Sequence, residues 1–140
     1  MALYINKTLG VINIPKSKRP IGITDGKLQP CPKTPNCVST QATDAKHRLE
    51  PIKYDTSIGQ AKEKILSILN SLKRTIIVSE TENYIHAEVR TATFKFVDDV
   101  EFIFDDSEKL IHYRSAARKG MSDMGVNKKR MKKIRNLFLQ

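Results

Sequence analysis

Arg114, Arg118, Asp123, Asn127 and Arg130 crowd into one stretch that also holds Gly120 and Gly125. Guanidinium groups so placed can grip an anion beside the N-terminus of a helix, with the glycines letting the backbone turn tightly. They can equally clamp nearby carboxylates, and no phosphate-loop spacing accompanies them. Upstream, Val97-Asp98-Asp99-Val100-Glu101-Phe102 supplies three acids. Paired carboxylates serve as general acid and base, but strand alternation sends Asp98 to the side opposite Asp99 and Glu101. Cys31 and Cys37 bracket a proline-rich loop that can close as a disulfide worth about 2 kcal/mol or stay a thiol pair. His86 or His112 can serve as base to a cysteine nucleophile, though only Lys33 marks the thiols as electropositive. His47, His86 and His112 follow no metal-ligand spacing, so neither a metal nor a cofactor is expected.

Several elements must position these groups. Residues 1–50 hold five of the six prolines and no clear period. Residues 1–27 read as an irregular N-terminal arm, and 28–140 as a single domain. Leu49 to Tyr54 can form a short edge strand limited by Pro51. A helix follows, capped by Thr56 or Ser57, with Ile58, Ala61, Ile65, Leu66, Ile68, Leu69 and Leu72 on one face. Four strands come next, Thr75 to Ser79, Tyr84 to Thr91, Phe94 to Phe104 and Leu110 to Ser115. A last helix runs from an Asn127 cap to about Leu139, turning Met131, Ile134, Leu137 and Phe138 inward. The fold class is α+β: an antiparallel sheet of four to five strands with two helices on one face, in the manner of helix-grip or TATA-binding-protein-like folds.

Alternation places Phe94, Phe96, Asp98, Val100, Phe102 and Phe104 on the core face. Asp98 is then a carboxylate among phenylalanines and needs a partner, either backbone amides or Arg118. A two-residue link at Ala92-Thr93 pairs Val89 with Phe96, Ala87 with Asp98 and His86 with Asp99. His86, Glu88, Arg90, Asp99, Glu101, His112 and Arg114 share the second face, which reads as a solvated surface with cross-strand ion pairs.

The 140 residues carry a net charge of +10, with a sequence pI near 9.7, which favours anionic partners. Residues 128–135 supply Lys128, Lys129, Arg130, Lys132, Lys133 and Arg135, whereas residues 98–108 are acidic, so the charge is divided into opposed patches. No tract reaches the roughly 18 apolar residues of a membrane span. Met1 to Pro15 carries one lysine and no sustained apolar run, so a cytoplasmic location is expected.

Gln29-Pro30-Cys31-Pro32, Pro35-Asn36-Cys37-Val38-Ser39, Val97 to Phe102, and Arg114-Ser115-Ala116 through Gly120, Asp123, Gly125, Asn127 and Arg130 together resemble the domain-of-unknown-function 1499 family. The likeness spans about Leu28 to Leu137. It implies no established activity. Members occur in bacteria and chloroplasts, many with an export signal, lipid-attachment sequence or membrane segment, none of which is seen here. Thr40 and Ala117 stand where the family often has serine, which argues against an essential hydroxyl at either.

Three function classes follow. The first is a noncatalytic domain binding a small anionic ligand or a protein partner, with Arg114, Arg118, Asp123, Asn127 and Arg130 near Asp98, Asp99 and the Cys31 to Cys37 loop. The second is an enzyme of anion-directed hydrolysis or transfer, favoured by a pocket holding a carboxylate of raised pKa. The third is a nucleic-acid or acidic-membrane binder acting through Lys128, Lys129, Lys132 and Lys133.

Overall fold

The computed structural model describes residues 2–3, 19–92 and 96–140. In chain order the elements are β1 (Ala2–Leu3), β2 (Ile23–Thr24), β3 (Lys27–Leu28), β4 (Cys37–Ser39), β5 (Ile52–Lys53), α1 (Ile58–Ser71), β6 (Thr75–Glu80), β7 (Tyr84–Arg90), β8 (Val97–Asp105), β9 (Leu110–Ala117) and α2 (Val126–Leu139). The antiparallel sheet runs β1-β6-β7-β8-β9-β4, with β5 also on β9, and β2 and β3 form a separate hairpin. The fold is the expected α+β class. Two short pieces, β4 and β1, extend the sheet beyond the expected strands; neither is long enough to display a period of two.

Both helices pack on one face. Ala61, Ile65 and Leu69 of α1 and Met131, Ile134 and Phe138 of α2 meet Ile85, Ala87, Val100, Phe102, Phe104, Ile111 and Tyr113 in one buried core. Ser57 caps α1: its Oγ accepts from the Gln60 amide at 3.2 Å, and Gln60 Oε1 accepts from the Ser57 amide at 3.4 Å. Such a reciprocal pair satisfies two of the amide donors left over in a helix's first turn. At α2 the cap differs from expectation. Asn127 lies inside the first turn, fully buried, and Asp123 does the capping by accepting from the amides of Gly125 at 2.8 Å and Asn127 at 3.1 Å.

The β7–β8 register is two residues away from the expected one. Val89 faces Asp98, Ala87 faces Val100 and His86 faces Glu101. The pairing closes at Thr91, whose amide donates to the Phe96 carbonyl at 2.8 Å while its Oγ1 accepts from the Phe96 amide at 2.9 Å. The link is therefore longer than Ala92-Thr93. Because the slip is an even number, every side chain keeps its face. Phe96 leaves the core and is half exposed, and Phe94 lies outside the described residues.

A larger correction concerns the second face. His86, Glu88, Asp99, Glu101 and Arg114 are all buried there rather than solvated. The covering is a strap formed by Arg19 to Pro30, within which Asp25 and Gly26 take positive φ and close β2 and β3 as a tight hairpin. Leu28 packs on Tyr84 and Ile103, and the Gly22 amide donates to Glu101 Oε1 at 2.8 Å. The hairpin thus crosses the boundary drawn at residues 27 and 28.

Candidate functional site

The candidate residues gather at one end of the sheet, where β7 ends and β9 ends, but the sheet divides them into two sets. On the helix side stand Asp98, Ser115, Asp123, Asn127 and Arg130. Arg130 Nη2 donates to Asp98 Oδ2 at 2.8 Å, and Nη1 donates to Asn127 Oδ1 at 2.7 Å and Ser115 Oγ at 3.1 Å. Ser115 Oγ in turn donates to Asn127 Oδ1 at 2.6 Å, and Asn127 Nδ2 donates to Asp123 Oδ2 at 2.7 Å. Asp98 therefore finds its partner in Arg130 of α2, not in Arg118 or backbone amides. Burial raises its pKa above the ordinary value, and the Arg130 charge opposes that rise only in part.

On the strap side stand Arg118, Glu88, Asp99, His86, Glu101 and Arg114. Arg118 points to this face because it follows Ala117, whose side chain shares the core face with Asp98. Its Nε donates to Asp99 Oδ2 at 2.9 Å, and its Nη2 bridges to Asp99 Oδ1 and Glu88 Oε1. His86 Nε2 donates to Asp99 Oδ1 at 2.8 Å. Burial acts to raise the Asp99 pKa, but these donors from His86 and Arg118 outweigh it and hold the group below the ordinary range. Glu101 goes the other way: burial dominates and raises it, although Gly22 and Tyr84 donate to one oxygen. Arg114 sits opposite Glu101 in the ladder and donates to the Pro30 carbonyl at 3.4 Å, and burial lowers its pKa. The strap reaches this cluster at Glu101 through Gly22 and at Arg114 through Pro30, while Arg118, Glu88, Asp99 and His86 bind one another across the strands, so its chemistry is that of a clamp.

Cys31 and Cys37 are joined as a disulfide, and Cys37 faces Ala116 at the edge of the sheet. Beside them Arg19 Nη1 donates to Asn36 Oδ1 at 2.9 Å and to the Ala117 carbonyl at 3.0 Å, and Nη2 donates to the Gly120 carbonyl at 2.8 Å. Arg19 and Asn36 were not among the candidates. Arg19 lies in a segment without periodicity, and its target is a carbonyl far along the chain, which no local pattern announces. Glu88, His86 and Glu101 were legible as face-sharing ions but not as a buried cluster. No group of His, Cys, Asp and Glu among the described residues has a metal-binding arrangement. His47 is taken by Asp44 and the Thr34 carbonyl, and His112 by Thr40.

On the helix side a groove of about 1220 Å³ opens between the C-terminal turn of α1, the β7–β8 link and the start of α2. Leu72, Val89, Ala92, Phe96, Ala117, Met124 and Val126 give it apolar walls. Lys73, Arg74, Arg90, Lys119, Lys129, Arg130 and Lys133 ring it, against the acids Asp98 and Asp123. Both acids already serve internal donors. Among the described residues none of Lys73, Arg90, Lys119, Lys129 and Lys133 has a carboxylate within ion-pair distance. A second hollow of about 810 Å³ lies at the opposite end, around Tyr54, Lys64, Lys109 and Phe138.

Among the described residues no helix is long and apolar enough to cross a membrane. The comparison with curated proteins finds no match. The family described as "Protein of unknown function (DUF1499)" matches residues 27–138, the span that holds the sheet, both helices, the disulfide loop and the arginine-rich turn, and the chain belongs to that family.

Proposed function

We propose that this chain is a noncatalytic binding domain for a small anion with an apolar body, held in the groove between α1, the β7–β8 link and α2. One observation carries the reading: apolar walls coincide in a single cavity with a ring of cations, of which Lys73, Arg90, Lys119, Lys129 and Lys133 have no carboxylate within ion-pair distance among the described residues. A low-dielectric wall strengthens the pull of those cations on an anion, and apolar contact supplies affinity that salt does not screen. Of the expected site residues, Asp98, Asp123 and Arg130 border the groove and Asn127 braces them. Arg114, Arg118 and Asp99 lie on the other face of the sheet and contribute only by fixing it. No aromatic side chain interleaves with Lys128, Lys129, Lys132 and Lys133 on α2, which favours a small anion over a nucleic acid.

Anilinonaphthalene sulfonate, an anionic apolar dye, tests the site directly. Its fluorescence should rise on binding, and Arg90→Gln with Lys129→Gln should weaken it about thirtyfold, since two charges near a surface are each worth on the order of 1 kcal/mol. Lys53→Glu, at the far end, should leave binding unchanged. A wild type that does not brighten the dye, or variants that bind it equally, would sink the reading.

Asp98 supports a second reading, an enzyme, because a carboxylate of raised pKa lines the groove. A hydrolase screen with ester and phosphoester substrates decides it: activity lost in Asp98→Asn favours catalysis, and activity indifferent to that change excludes this carboxylate. The hairpin across residues 27 and 28 supports beginning the domain near Arg19 rather than at Leu28. The disulfide supports an oxidising compartment over the cytoplasm expected from the N-terminal residues.

A further inference from the structure

The most exposed large apolar side chains of the described protein are Met124 at 87% and Met121 at 73%. Both sit in the turn between β9 and α2, and Val126 at 39% and Phe96 at 49% lie at the same end. This turn is built, not slack. Gly120, Met124 and Gly125 adopt positive φ, and Asp123 ties the Gly125 and Asn127 amides. The two methionines are therefore held out from the body by a fixed backbone. Burying them against solvent-free surface is favourable, yet nothing in the described protein buries them.

Around them stand Lys119, Lys128 and Lys129, with Arg90 and Lys133 further along the same end, all exposed. The opposite end, at the β8–β9 turn, sets Asp55, Asp105, Asp106 and Glu108 against Lys53, Lys64 and Lys109 and so has no cationic excess. The molecule is thus electrically polarised, and an anionic surface would turn the methionine end toward itself. Apolar side chains projecting from a ring of lysines suit the boundary between lipid headgroups and acyl chains, where the lysines meet phosphates and the methionines enter the hydrocarbon.

The geometry points to a membrane-docking role for this end, with a bilayer rich in anionic lipid as the partner. Met121 and Met124 insert, Lys119, Lys128 and Lys129 lie on the headgroups, and the mouth of the groove faces the lipid. The inference shares Lys119, Met124 and Lys129 with the groove lining, and Met121 and Lys128, which lie outside that lining, distinguish it from small-ligand binding.

Co-sedimentation with vesicles tests it. The protein should bind vesicles of phosphatidylglycerol mixed with phosphatidylcholine and stay in solution with phosphatidylcholine alone. Each of Lys119→Gln, Lys128→Gln and Lys129→Gln should lower the partition coefficient about fivefold. Met121→Ser should remove the part of the binding that resists high salt while leaving dye binding in the groove intact. Because the chain has no tryptophan, Met124→Trp gives a local reporter whose emission should shift to the blue on anionic vesicles, whereas Leu139→Trp at the other end should not shift. The inference is overturned by failure to sediment with anionic vesicles, by sedimentation indifferent to Met121→Ser with Met124→Ser, or by equal shifts in the two tryptophan variants. Complete competition by a polynucleotide with no methionine dependence would also overturn it, in favour of nucleic acid.

Discussion

Arg130 satisfies three oxygens at once, on Asp98, Ser115 and Asn127, and so binds two elements of the sheet to the first turns of α2. Removing it leaves a buried carboxylate without its counter-charge, a change that typically costs 3–5 kcal/mol. Urea denaturation of Arg130→Ala should show a loss on the order of 3 kcal/mol, and Asp98→Asn added to it should restore part of that loss. If the double variant is no more stable than the single, desolvated charge is not the source of the cost. That Asp98 needed a partner was legible from alternation alone, because a carboxylate shares its face with Val100, Phe102 and Phe104. The partner was not legible. Arg118 is nearer in sequence, but one residue of strand parity sends it through to the other face, and Arg130 reaches Asp98 only through the docking of α2.

The strap shows what an element-level reading of prolines conceals. Thr24-Asp25-Gly26-Lys27 carries the Asp-Gly pair of a tight hairpin, yet scattered prolines and basic residues drew the segment toward an irregular arm. Helix α1 was legible from its apolar period, and of the two caps the sequence offers, Thr56 and Ser57, the structure uses Ser57. The β7–β8 register was not, since sequence offers no marker for the length of a link whose residues 93–95 follow no turn signature. Fastenings hold both ends of the strap: Cys31–Cys37 ties the chain just past its C-terminal end to β4, and Arg19 at its N-terminal end reaches Asn36. Reduction should therefore lower stability by about 2 kcal/mol. It should speed hydrogen exchange at the Gly22 and Leu28 amides before those of β7 and β8, because the strap can open without the sheet. Uniform acceleration, or none, would count against a separately opening strap, and an intact mass unchanged by reductant would deny the bond itself.

For the whole molecule, fold class and the one-sided placement of the helices followed from element order and apolar period. The third layer did not, because a covering made of turns and a short hairpin has no period to read. Its effect on the meaning of the ions is large. Seven charged side chains that the sequence offers to solvent or ligand, Glu88, Asp98, Asp99, Glu101, Arg114, Arg118 and Arg130, are instead committed to contacts within the protein. The committed set holds more acids than arginines. The positive excess behind the formal charge of +10 is accordingly carried by side chains outside that set. Copies of this chain repel one another across dilute buffer, and added electrolyte relaxes that mutual exclusion.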